Sequence, residues 1–119
     1  MSLNNNFVGE LLYRGVDKDL CVDGKYNPGD KFCWWGFVST STDLEVAKGF
    51  ATNVNGEKGT IFYIKCSVGL NVNEYSAFPT ENEVLLRPGL TYEVVKKDIT
   101  GAFNIITIRH DVDARPKVM

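Results

Sequence analysis

Three groups of polar residues interrupt otherwise apolar stretches of this chain. Arg14 lies inside LLYRGV, Ser39-Thr40-Ser41 close the aromatic run KFCWWGFVSTS, and Glu81 and Glu83 open ENEVLLRPG. Each has an ordinary explanation taken alone. A strand-end arginine forms a surface ion pair, a Ser-Thr-Ser run caps a helix, and a Glu-x-Glu pair decorates a solvated strand face. All three on strands of one small chain call for a chemical reason. Positions two apart on a strand point the same way, so Glu81 and Glu83 would face one cleft. Like charges side by side raise one of the two pKa values, and an arginine close by would offset the repulsion.

The elements that must hold these residues are mostly strands. ELLYRGV (10–16) reads as the first. A turn-rich stretch follows, marked by Asp23-Gly24 and Asn27-Pro28-Gly29-Asp30. KFCWWGFVSTS reads as one aromatic strand ending in hydroxyls. In TDLEVAKGFAT, Leu44, Ala47 and Ala51 recur at helical spacing, with Thr42 or Asp43 as N-cap. GTIFYIKCSV, ENEVLLRPG, TYEVVKKDI and FNIITIRHDV supply four more strands, and the tail DARPKVM is expected to fray. Residues 61–64 and 84–86 are apolar on both faces, which implies a sheet covered on both sides. The expected fold is α+β and mostly β: a compact two-sheet β-sandwich with one main helix. Residues 10–119 would form its single domain, after a flexible N-terminus at 1–9.

Composition narrows the function classes. The chain has 119 residues, 44% hydrophobic and 24% charged, with a formal net charge of -2. That is one ordinary globular core, with no electrostatic footprint for nucleic acid or an anionic membrane. No signal peptide or membrane-spanning stretch is visible, so a soluble protein is expected, cytoplasmic or exported by a route the sequence does not display. Cys21, Cys33 and Cys66 are odd in number and lack CxxC spacing, which argues against structural zinc and a disulfide framework. The lone histidine, His110, is read as structural or exposed.

The motifs YRG (13–15), FVSTS (37–41) and AFPTENEVLLRPG (77–89) together resemble the R-S-E class of mono-ADP-ribosyltransferases, over about residues 10–109. The resemblance implies cleavage of the nicotinamide–ribose bond of NAD and transfer of ADP-ribose to protein arginine. NAD is then a co-substrate, and no metal is needed. Glu83 would stabilise the oxocarbenium-like transition state through the ribose hydroxyl. Ser39 would hydrogen-bond Glu83 and hold it. Arg14 would contact the NAD diphosphate through its planar fork. Gly15 would permit close approach of the nicotinamide amide. Thr40 and Ser41 would add hydroxyl contacts or cap the helix, and Phe50 would stack on nicotinamide, although an aromatic on such a helix is more often core.

Glu81 is implied as the acceptor residue. A guanidinium has no lone pair to spare, so a carboxylate must orient it and take its proton as it attacks. The preceding loop, NEYSAFPT, would present Tyr75 and Phe78 to the protein substrate, with the chain expected as a monomer. The family's N-terminal helical lobe is expected to be absent or removed here, since only nine residues precede ELLYRGV. An open cleft would admit water, so NAD hydrolysis is one alternative. A non-catalytic NAD- or protein-binding domain of the same fold is the other.

Overall fold

The computed structural model describes residues 11–21, 24–52, 55–65, 75–78 and 83–111, with only the backbone described at 75–78 and 83. Eight strands and one helix follow in order: β1 Leu11–Val16, β2 Lys31–Trp34, β3 Val38–Ser41, α1 Leu44–Ala51, β4 Thr60–Lys65, β5 Tyr75–Phe78, β6 Glu83–Leu86, β7 Leu90–Asp98 and β8 Asn104–His110. All eight strands join one mixed sheet in the order β2-β7-β8-β4-β1-β3-β6-β5. Only the β4–β8 pairing is parallel among these ladders.

The sheet is bent over on itself. β1 and β2 are four places apart in the order, which would separate them by about 19 Å in a flat sheet. Yet the Arg14 guanidinium of β1 lies 5.1 Å from the ring centre of Trp34 on β2. Trp34 also meets Phe62 of β4 edge to face at 5.2 Å. The fold-over encloses one core, drawn from Leu12, Val38, Phe62, Ile64, Val84, Leu86, Tyr92, Val94, Ile106 and Ile108. The expected two-sheet sandwich is therefore realised loosely, as one mixed sheet curved around its core. Ile61 shows why β4 is apolar on both faces. It packs on the other side, against Ala47 and Ala51 of α1.

Two expected elements differ. KFCWWGFVSTS is not one strand but β2 and β3, broken at Trp35-Gly36-Phe37. Its first part pairs with β7 and its second with β6 and β1, at distant places in the sheet, so no single strand could serve both. NEYSAFPT was expected as a loop, but Tyr75–Phe78 is edge strand β5, pairing Tyr75 with Leu86 and Phe78 with Glu83. Aromatic residues favour a strand, and β6 offered a free edge. In β7 burial alternates as far as Val94, and a bulge between Val94 and Lys96 then leaves Lys96 exposed to solvent.

The far end of β1 is locked by part-buried hydrogen bonds from two buried side chains. Thr60 donates its hydroxyl to Lys18 O at 2.8 Å, and Asn104 Nδ2 donates to Asp19 Oδ1 at 2.7 Å. Among the described residues no helix is long and apolar enough to cross a membrane.

Candidate active site

β1 is zipped on one flank and open on the other. Along β4 it pairs continuously from Leu11–Lys65 to Val16–Thr60. Along β3 the register holds only at Tyr13–Ser41. The strands splay beyond that pair, and a cleft of about 550 Å³ fills the gap. Tyr13, Arg14, Gly15, Phe37, Ser39, Thr40, Ser41, Val46, Ala47 and Phe50 line it. Arg14, Gly15, Ser39, Thr40, Ser41 and Phe50, all named from the sequence, are therefore on this cleft.

Helix α1 forms one wall. Asp43 is its N-cap, accepting from Glu45 N–H through Oδ1 at 2.9 Å. The helix sits unusually close to the sheet because two glycines lie beneath it. A Cβ on Gly15 would stand 1.8 Å from Ala47 O, and one on Gly59 would stand 1.9 Å from Ala51 O. This packing alone requires Gly15 to lack a side chain, whatever ligand approaches it. With Ala47 and Ala51 pressed inward, Val46 and Phe50 border the cleft. Phe50 is 66% exposed rather than part of the core.

The Ser-Thr-Ser hydroxyls have three different fates. Thr40 is buried and donates to Val84 O at 2.7 Å, tying β3 to the strand that begins with Glu83. Ser41 is buried and accepts from Asp43 N–H at 2.9 Å, so it turns the chain into α1. Ser39 is exposed and has no hydrogen-bond partner among the described residues. Of the three, it alone offers the cleft a hydroxyl with no partner among the described residues. Backbone register sets Ser41 opposite Glu83 and Ser39 opposite Leu85. Glu81 lies outside the described residues, and for Glu83 this backbone position is what is described.

Arg14 is half-buried, and burial pushes its pKa down, partly offset by attraction to Tyr26 and Tyr92. No ion pair engages it among the described residues. Its guanidinium rests instead over the Trp34 ring. A charge held this way is available to an anion. Among the described residues no group of three or more His, Cys, Asp or Glu could hold a metal ion.

Sequence reasoning missed Phe37, Val46 and Trp34. The first was findable: Val38 and Thr40 are buried, so strand alternation puts Phe37 with Ser39 on the opposite side. Phe37 is 68% exposed on the cleft wall. Val46 is one helical turn before Phe50. For Trp34 there was no local signal.

The sequence profile of the NAD:arginine ADP-ribosyltransferases matches residues 2–114. The chain belongs to the NAD:arginine ADP-ribosyltransferase family. It is 37% identical over 87 residues to T-cell ecto-ADP-ribosyltransferase 2 of Mus musculus, covering 73% of this chain and 27% of that protein. It is 35% identical over 88 residues to the putative NAD(+)--arginine ADP-ribosyltransferase Mav of Mycobacterium avium (strain 104), covering 74% of this chain and 10% of that one. This ADP-ribosyltransferase fold superposes on the Vis toxin of Vibrio Splendidus with a TM-score of 0.69 at 24% identity, covering 88% of this chain and 49% of Vis. The chain thus spans about a quarter or less of these two relatives' length and about half of the toxin.

Proposed function

We propose that this chain transfers ADP-ribose from NAD to an arginine of a protein and releases nicotinamide. Membership of the NAD:arginine ADP-ribosyltransferase family supports the reading. The observation that carries it is the splay of β1 from β3, which gathers a half-buried arginine with no ion pair among the described residues, an exposed serine and exposed aromatic walls in one cleft. Arg14 binds the diphosphate, and Phe50 and Phe37 offer ring faces to nicotinamide. Gly15 leaves its backbone accessible beside them, and Tyr75 and Phe78 on edge strand β5 meet the protein substrate.

In this reading the bond between the ribose anomeric carbon and the nicotinamide nitrogen breaks, and nicotinamide leaves with the bonding electrons. Glu83 supplies the negative charge that opposes the cation developing on the ribose. Ser39, on the neighbouring strand, orients that carboxylate. The acceptor guanidinium attacks the same carbon, and its proton passes to Glu81. Thr40 and Ser41 act through the fold: one fixes β6 against β3, and the other starts α1.

Incubating the chain with labelled NAD and a mixed protein lysate tests this. Label on protein, released by an agent that cleaves arginine-linked ADP-ribose, is the expected result. Free ADP-ribose with unlabelled protein would replace transfer by hydrolysis. Neither product would leave a binding domain.

A further inference from the structure

We propose that Trp34 is a positioning residue for anion recognition, its indole face holding the Arg14 guanidinium in the cleft with the N–H fork left free. The inference rests on the reading of Arg14 as the diphosphate ligand.

A half-buried guanidinium needs something to offset lost hydration. A carboxylate would do so by occupying the fork and cancelling the charge, and phosphate would then have to displace it. A ring face attracts the cation without accepting its in-plane N–H bonds. The only partner described for Arg14 at close range is of this second kind, at 5.1 Å from the Trp34 centre. Burial pushes the Tyr26 phenol up, so it stays neutral beside Arg14 rather than pairing with it as an anion.

Trp34 is itself held firmly enough for this task. Phe32 and Phe62 meet it edge to face, each at 5.2 Å, and Tyr92 is 4.9 Å away. Its carbonyl accepts from Gly89 N–H at 2.8 Å, and its backbone pairs with Leu90. Gly89 has φ 88, a left-handed conformation suited to glycine, in the turn that links β6 to β7. The same turn thus ends the strand that begins with Glu83 and anchors the residue beneath Arg14. The fold-over of the sheet is what brings the two together.

The test compares Trp34→Leu, which keeps apolar bulk, with Trp34→Phe, which keeps a ring face, in the full chain. Dissociation constants for NAD and for ADP are measured by calorimetry, beside kcat and KM. Trp34→Leu should weaken both ligands about tenfold, the range of a partly desolvated cation–π contact. Its kcat at saturating NAD should stay within about twofold, and Trp34→Phe should recover most of the affinity. In an Arg14→Met background, Trp34→Leu should cost nothing further. Equal losses with and without Arg14 would show packing alone and overturn the proposal, as would parent affinity in folded Trp34→Leu.

A second measurement needs no change at Trp34. With exposed Trp35 changed to phenylalanine, Trp34 is the one remaining tryptophan. Saturating ADP should then alter its emission, and Arg14→Met should abolish the change. Unaltered emission at saturation would count against the contact. A parent chain that binds ADP but cleaves no NAD would remove the transferase reading and leave this one standing. A parent that binds neither would overturn both.

Discussion

The two flanks of β1 are built on opposite plans. Toward β4 the ladder is continuous, its face is covered by α1, and its far end is locked by Thr60 and Asn104. Toward β3 it holds at one residue pair and then opens. A closed ladder satisfies backbone groups and buries side chains, which is stability. An open one leaves a gap that side chains of β1, β3 and α1 line, which is room for a ligand. Arg14 and Gly15 belong to both plans at once. Each is zipped to β4 along its backbone while bordering the cleft.

The largest expected effect tests the open flank. Glu83→Gln keeps the shape of the side chain and removes its charge. Both ADP-ribose transfer and nicotinamide release should fall about a hundredfold or more, the scale of losing one preorganised electrostatic group. Thermal unfolding should be little changed, because the ladder that carries Glu83 is held elsewhere, by Thr40 and Val84. A variant with half of normal activity would remove Glu83 from the reaction.

Glu81→Gln divides the open flank further. Water needs less orientation than a guanidinium, so transfer to arginine should drop about tenfold or more while much NAD hydrolysis survives. Both are read from one preparation, as modified acceptor and as released nicotinamide. If the two activities fall together, Glu81 and Glu83 act as one titrating pair.

The closed flank is broken by alanine at either glycine under the helix. Gly15→Ala and Gly59→Ala each set a Cβ against helix backbone, at Ala47 O and Ala51 O. Each should cost about 1–3 kcal/mol, the usual range for overpacking, read from urea unfolding. Their functions should part. Gly15 borders the cleft and Gly59 acts on it only through α1, so KM for NAD should rise more in the first than in the second. Equal KM changes would mean that the position of α1, not the β1 side of the cleft, controls binding.

The legible parts of this molecule were local, and the illegible parts came from the fold-over. The N-cap at Asp43, the turn at Pro88-Gly89 and the double-faced strand at 61–64 each follow from neighbours in sequence. Short-range pattern could not show that KFCWWGFVSTS breaks at Gly36, since the break depends on which distant strands each half joins. Nor could it show that Trp34 lies under Arg14, 20 residues earlier and four places away in the sheet. The resemblance named the motif residues as a set, and the structure brings Arg14, Gly15, Ser39, Thr40, Ser41 and Phe50 of that set to one cleft, but it did not tell the three hydroxyls apart. Sequence alone treats Ser39, Thr40 and Ser41 as similar hydroxyls. Strand alternation and the turn into α1 separate them into one exposed group and two committed ones.

That separation supports the smallest prediction. Ser41 lies on the cleft, yet its hydroxyl already accepts the Asp43 N–H at the start of α1. Ser41→Ala removes this acceptor from a part-buried turn and should cost about 0.5–1.5 kcal/mol, the net worth of one such bond. Helix α1 carries Val46 and Phe50 into the cleft, but its seat is set by Ala47 and Ala51 against Gly15 and Gly59. Loss of this one bond therefore lowers the melting temperature while the packing of Ala47 and Ala51 keeps the cleft wall in place. KM for NAD should stay within about twofold of the parent, an energy difference below about 0.5 kcal/mol. Ser39→Ala is the matched control: it loses no hydrogen bond described within the fold, so stability should hold while turnover falls. If Ser41→Ala instead raises KM with unchanged stability, its hydroxyl serves the ligand, and the open flank of β1 extends one residue further than the register shows.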